Sequence, residues 1–238
     1  EMSEFWKNKI QTGYYDKIVT EGLLKKQGIQ PNWHIQTFKE IARCMNNHDK
    51  HLDFACGPGT FIGLYGSGNS IGTDISTNQI DYANDKYATK GTFLYIEEFN
   101  YNSYKNKFDV ITILGLIEFI GDNEIIDLLD KLFTCLKPGG RLVLTTPNYG
   151  GGMIILEKLI NLLGKTDYKN QHINRFNKNR LKKLLSQSSF NNSEITKFMN
   201  FGIFSSLFSF KVAEILLTLI GRIFNDFFGF MFKVELKK

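Results

Sequence analysis

Between residues 53 and 74 the chain carries two acids and a glycine turn whose spacing suits a nucleoside: Asp53, then Ala55-Cys56-Gly57-Pro58-Gly59-Thr60, then Asp74. Glycine reaches backbone conformations that side chains disfavour and lets the main chain approach a ligand closely. A helix that begins after such a turn offers unpaired N–H groups to whatever sits there. Asp74 follows Asp53 by 21 positions, and an ionised carboxylate accepts at both oxygens, as a pair of ribose hydroxyls requires. The dinucleotide fingerprint G-x-G-x-x-G needs glycine or alanine at its third position, where this chain has Ile62, which disfavours NAD and FAD. A second candidate is His172, in the run His172-Ile173-Asn174-Arg175-Phe176. Its imidazole suits a general base on an acceptor hydroxyl, and equally a loop histidine bonded to backbone. Cys56 has no base beside it in sequence and reads as a small packing residue rather than a nucleophile.

The elements around these residues alternate. Phe38, Ile41, Ala42 and Met45 recur at helical spacing and predict an amphipathic helix over 36–47. A strand over His51–Ala55 leads into the glycine turn and a short helix from Thr60. A second strand, 70–73, ends at Asp74, and Ser76 is placed to cap the helix that follows, to Ala88. Strands over 92–96 and 108–114 come next. The second of these, Phe108-Asp109-Val110-Ile111-Thr112-Ile113-Leu114, is nearly continuously apolar, as in a sheet covered on both faces. Asp122 is expected to cap a helix with a stripe at Ile125, Leu128, Leu129 and Leu132, which stops at Lys137-Pro138-Gly139-Gly140. A strand over 141–145 follows. Parallel neighbours need crossover connections, and helices are the usual crossover, so the expected fold class is α/β, a doubly wound, Rossmann-like sheet with helices on both faces. Beyond Pro147 the pattern predicts helices at 153–163 and 178–188, a strand over 193–198, an apolar and mainly helical stretch over 203–225 and an alternating strand over 230–236. The sheet then has seven strands, mostly parallel, with the last antiparallel.

Composition excludes several classes. The formal net charge of +5 is spread among interleaved acids and bases without a run of like charge, so no nucleic acid partner is expected. Cys44, Cys56 and Cys135 form no CxxC pair and have no histidine at ligand spacing, which suggests neither a disulfide framework nor a metal site. A cytoplasmic protein is expected: residues 1–7 are charged and aromatic, without the apolar core of a secretory signal. No repeat or low-complexity linker marks a domain boundary, so one domain over 1–238 is expected.

In order and separation, L-D-F-A-C-G-P-G at 52–59, the acid at 74, F-D-V-I at 108–111 and L-K-P-G-G-R-L at 136–142 make the chain resemble the class I S-adenosylmethionine-dependent methyltransferases. The likeness covers about residues 50–147 and is nearest to the quinone-pathway-like enzymes that act on small molecules, lipids or glycans. It implies S-adenosyl-L-methionine as cofactor, with S-adenosyl-L-homocysteine as product. By position it implies that Asp53, Ala55, Gly57 and Gly59 form the methionine-binding turn, Asp74 binds the ribose and Ile75 packs on adenine. It further implies that Glu97, Glu98 or Phe99 lies near the adenine amine, that Leu114 to Glu118 line the sulfonium side, and that Tyr15 in the N-terminal aromatic segment closes over the cofactor. Many relatives carry Glu-His after the fourth strand; here Glu118 precedes Phe119, so that histidine is absent. The H-x-x-R-F run at 172–176 resembles a segment that follows strand five in several such enzymes.

Within that resemblance, residues 1–49 form an N-terminal helical cap, and 150–176 and 203–225 are lid or acceptor-pocket insertions. The apolar run 201–232 is interrupted by Lys211, Glu214, Arg222 and Asp226 and is too charged for a membrane span. It fits a lid over a partly hydrophobic acceptor, an interfacial membrane helix at the inner face of the membrane, or a homodimer contact. The acceptor expected is a small molecule, a glycan or a lipid-linked group. The rival function is a non-catalytic S-adenosylmethionine-binding scaffold, because an intact cofactor motif says nothing about turnover.

Overall fold

The computed structural model describes residue 7, residues 10–151, residue 153 and residues 173–238. The expected helix at 153–163 and His172 fall outside the described residues, apart from Met153. Seven strands form one sheet: β1 His51–Phe54, β2 Ser70–Asp74, β3 Gly91–Tyr95, β4 Phe108–Leu114, β5 Leu136–Pro147, β6 Asn192–Phe198 and β7 Met231–Lys237. Their order is β3-β2-β1-β4-β5-β7-β6. The first five run parallel, and β7 enters antiparallel between β5 and β6. The chain starts in the middle, winds outward through β2 to β3, then crosses to β4. The order therefore reverses between β1 and β4, and ligands of open α/β sheets bind outside the carboxyl ends of the strands at such a point.

Helices cover both faces. Helix α1 spans Tyr14–Lys25, α2 Ile29–Ala42, α3 Thr60–Tyr65, α4 Thr77–Tyr87, α5 Asp122–Cys135, α6 Lys178–Leu185 and α7 Phe210–Phe228. One face of the sheet buries Leu52, Ile111, Ile113, Leu142 and Leu144 against Leu129 and Leu132 of α5 and Leu181 and Leu184 of α6. On the other face Val110 and Val143 meet Ile41 of α2 and Phe61 of α3. Each such side chain contributes about 1.5–3 kcal/mol by leaving water, so the middle strands are held rigidly and their ends are fixed points for a site.

Several boundaries differ from the sequence expectation. Helix α2 begins at Ile29 rather than 36, with Pro31 in its first turn, where a missing N–H costs nothing because no intrahelical acceptor waits for it. Ser76 occupies the cap position of α4, but its hydroxyl bonds nothing; the Asp74 carboxylate takes the Ser76 N–H instead, at 2.9 Å. Gly121, not Asp122, caps α5, its N–H donating to Glu124 at 2.7 Å. Strand β5 already starts at Leu136, so the Lys-Pro-Gly-Gly segment lies within the strand, accommodated by a register shift opposite Phe108 and Val110. The apolar stretch 203–225 divides into a 3₁₀ turn over Phe201–Leu207 and α7, with Ser209 capping the latter through the Lys211 N–H.

The N-terminal helices are fastened to the core by a buried carboxylate. Asp16 of α1 is fully buried and accepts from Tyr82 (2.8 Å), Tyr87 (2.6 Å) and the ammonium of Lys86, all on α4. Burial pushes this carboxyl up, but those three donors outweigh it and hold Asp16 below the usual carboxylate range.

Candidate active site at the carboxyl ends of the strands

The turn after β1 is held in left-handed backbone at three nearby positions, Ala55 (φ 62°), Gly57 (φ 54°) and Gly59 (φ 73°). For a residue with a side chain, such as Ala55, that conformation costs about 1–2 kcal/mol, and strain of this kind concentrates at functional sites. The two glycines differ. A Cβ on Gly59 would stand 2.6 Å from the Phe93 ring and 2.9 Å from Ala83, whereas one on Gly57 would meet nothing within 4 Å. Gly59 is needed for packing, and Gly57 opens a cradle.

Asp74, at the end of β2, closes that cradle: one carboxylate oxygen accepts from Gly57 N–H and the other from Ser76 N–H, both at 2.9 Å. Burial nevertheless keeps its carboxyl above the ordinary range. Three hydroxyls around the same turn, those of Thr60, Thr73 and Ser76, are buried without a partner. An unmet buried polar group costs about 1–3 kcal/mol, and three around one turn fit a site whose remaining partners arrive with a ligand.

Asp53 lies one step below the turn, buried and bonded sideways. The register sets Asp53 beside Thr112 of β4, and the Thr112 hydroxyl donates to Asp53 Oδ1 at 2.6 Å. Having given its proton away, the same oxygen accepts from His51 Nε2 at 2.8 Å, which leaves His51 Nδ1 to accept from the Ser70 hydroxyl at 3.1 Å. Burial holds His51 down to about 3, so it is the neutral tautomer this chain of bonds requires. Burial pushes Asp53 up to about 7, against the Thr112 hydrogen bond and with the help of the nearby Asp74 charge.

Beyond β4, Gly115 (φ 68°) turns the chain into a short 3₁₀ segment, Ile117–Phe119. Glu118 is buried there, accepting from the Thr146 hydroxyl of β5 at 3.1 Å, and burial pushes it up to about 7. Its carbonyl accepts from Asn174 N–H at 3.0 Å, which brings the segment before α6 to this end of the sheet. Among the described residues no Lys or Arg forms an ion pair with Asp53, Asp74 or Glu118. Three such acids at one edge favour a cationic ligand.

The remaining expected residues divide. Ile75 is half-buried beside Asp74, and Leu114 packs on the Val110 cluster at the end of β4. Tyr15 of α1 stands edge-on to His34 of α2 at 5.4 Å. Glu97 and Glu98 lie in a 3₁₀ turn after β3 and fold back on Tyr95, one to its hydroxyl and the other to its N–H. Phe99 is buried, its ring stacked on the half-buried Tyr104 at 4.6 Å. A shallow cleft of 670 Å³ between Glu97–Asn102 and Asp127–Thr134 runs down the flank of α5 and contains none of the residues of the glycine turn. Sequence reasoning missed His51, Thr112, Thr146 and Asn174; a polar Thr112 inside an otherwise apolar strand was the available signal.

The arrangement contains no activated nucleophile. Cys56 is buried, and burial with the charges of Asp74 and Asp53 pushes its thiol well up, away from thiolate. No group of His, Cys, Asp and Glu among the described residues is set to hold a metal. What remains is binding and positioning.

The family described as the methyltransferase domain matches residues 31–195. No curated protein matches the sequence. Among solved structures, the fold is similar to an S-adenosylmethionine-dependent methyltransferase from Archaeoglobus fulgidus, at 20% identity and TM-score 0.54, over 79% of this chain and 85% of that one. It is also similar to magnesium protoporphyrin IX methyltransferase from Synechocystis with bound S-adenosylhomocysteine, at 16% identity and TM-score 0.55, over 96% and 89%. A third is phosphoethanolamine N-methyltransferase 2 from Haemonchus contortus in complex with S-adenosylmethionine, at 16% identity and TM-score 0.58, over 100% of this chain and 60% of that one. At these identities the likeness is one of fold.

Proposed function

We propose that this chain, which belongs to the methyltransferase-domain family, transfers the methyl group of S-adenosylmethionine to a partly hydrophobic small-molecule, glycan or lipid-linked acceptor. The observation that carries the donor is the open cradle at Gly57 closed by Asp74, at the point where strand order reverses. When bound, the donor supplies an electrophilic methyl on a sulfonium. Asp74, which accepts one backbone N–H on each oxygen, would accept the two ribose hydroxyls on its remaining lone pairs, and Asp53 would lie toward the methionine end.

The protein's contribution is alignment and exclusion of water, which can account for a large part of a barrier without a covalent intermediate. For an acceptor that must lose a proton, Glu118, with its carboxyl near 7, is a described group suited to take it; His172 is the second candidate. A partly hydrophobic acceptor is favoured by the exposed ring of Phe201, which stands edge-on to Phe230 at 4.9 Å, beside the junction of β5 and β7.

Isothermal titration with S-adenosylhomocysteine tests the donor site. Asp74→Ala is expected to weaken binding about 10- to 100-fold, the worth of one or two hydrogen bonds to a charged group, with Asp74→Asn between it and the wild type. Absence of heat at millimolar ligand for a folded wild-type protein would overturn the assignment. Mass spectrometry of candidate acceptors after incubation with isotopically labelled donor separates the enzyme from a binding scaffold.

A further inference from the structure

Helix α7 carries a stripe of exposed apolar side chains along its length. Phe208 just before it, then Val212, Ile215, Leu219, Ile223 and Phe227, recur every three or four residues and are 46–82% exposed. A stripe with that period lies along one side of a helix, and 19 residues span about 28 Å. The opposite side is used: Ala213 is buried and Leu217 packs on the Phe230 cluster. The helix leaves the sheet after Phe198 of β6 and returns at Met231 of β7, which pairs with Pro147 at the carboxyl end of β5. It therefore stands at the same edge as the crevice. No helix among the described residues is long and apolar enough to cross a membrane.

The surroundings of the stripe are cationic. At its start the Phe210 N–H bonds the Lys26 carbonyl, which brings Lys25, Lys26 and Leu24 (83% exposed) beside it. Lys211 and Arg222 lie on the helix itself, and Lys197 reaches its last turn through the Asp226 carbonyl. Of the acids nearby among the described residues, Glu21 pairs with Lys25 and Glu214 with Lys39, which leaves Asp226 against Lys26, Lys197, Lys211 and Arg222. The bases Lys25, Lys26, Lys39, Lys197, Lys211 and Arg222 outnumber the acids Glu21, Glu214 and Asp226, so in a two-fold dimer two net-positive patches would face each other, even where antiparallel helices set Lys211 near Asp226 of the partner subunit. An anionic lipid surface answers both the apolar stripe and the charge around it.

We infer that α7 lies flat on an anionic membrane surface, its stripe in the headgroup and acyl boundary and its lysines and arginine among the phosphates. This inference goes beyond methyl transfer and stands whichever acceptor is used. It orients the crevice edge toward the bilayer.

Co-sedimentation of the full chain with vesicles tests it. The protein is expected to bind phosphatidylcholine vesicles containing phosphatidylglycerol at least about tenfold more tightly than phosphatidylcholine alone, and less tightly as salt rises. The double variant Ile223→Ser, Phe227→Ser is expected to lose about tenfold or more of that binding while its S-adenosylhomocysteine affinity and melting temperature hold. Loss of vesicle binding with the nucleoside site intact is thus separable from failure of the methyltransferase reading. Equal sedimentation of variant and wild type, or no binding to the anionic vesicles, would overturn the inference. So would a dimer in light scattering that the double variant dissolves, which assigns the face to a second copy. Maleimide labelling of Ile223→Cys is expected to be fast in free protein and slowed by vesicles; slow labelling of the free monomer would assign the face to another part of the chain and overturn the inference.

Discussion

Asp53 is an acid buried without a counter-ion, and its protonation should be visible in stability. In the folded chain it keeps its proton up to about pH 7, in the unfolded chain only to about 3.8. Between those values the folded state holds more protons than the unfolded one, so its contribution to stability is full below pH 4 and is lost as pH rises through 7. His51 works in the opposite sense, because its folded value of about 3 lies below its ordinary 6.5. Comparing Asp53→Asn with wild type cancels that term. Relative to the variant, the wild type is expected to lose up to about 4 kcal/mol between pH 4 and pH 8, from a change of about three pKa units. Urea midpoints across that range measure it, and parallel curves would remove Asp53 as a buried titrating group. The acid itself was legible beside the glycine turn. Its partners were not: Thr112 lies 59 residues away and reaches it only through the pairing of β1 with β4, and nothing local in His51 announces a role.

The glycine turn makes a prediction at the scale of an element. Gly57→Ala places a methyl group in open space at the expense of a left-handed alanine, about 1–2 kcal/mol, so the fold should survive while S-adenosylhomocysteine affinity falls. Gly59→Ala adds to the same strain a collision with Phe93 and Ala83, so its melting temperature should fall well below that of Gly57→Ala. Calorimetry of the two variants decides; equal losses in both would mean that the cradle is not open. In sequence the two glycines are alike, since only the neighbouring strand and helix distinguish them. The strands themselves were legible, because apolar runs such as 108–114 declare burial on both faces. Caps were less so: Ser76 and Asp122 are good capping residues by type, yet the Ser76 hydroxyl accepts nothing while Asp74 takes the Ser76 N–H, and Gly121 holds the cap position of α5 with its N–H on Glu124. Phe99 sits where the resemblance put it in sequence, and its buried ring stacks on Tyr104 and Phe108.

For the whole molecule the decisive element is β7. It supplies the bonds that close β5 on one side and, among the described residues, the pairing that holds β6 on the other. Lys238 adds three bonds from its ammonium, to the Asn106 side chain and to the carbonyls of Phe133 and Leu136. Removing residues 231–238 should therefore strip β6 and leave the β5 edge bare, an invitation to aggregation. Size-exclusion chromatography and thermal melting are expected to show aggregation and loss of the cooperative transition, and a soluble chain with unchanged melting would contradict this.

The position of β7 also governs the order of events on the ribosome. The five parallel strands and α7 are synthesised before the strand that locks them together, so the growing chain carries an open sheet edge and an apolar helix until β7 has emerged. A chain interrupted before β7 would leave β5 unpaired on that side and expose an edge that chaperones and proteases recognise.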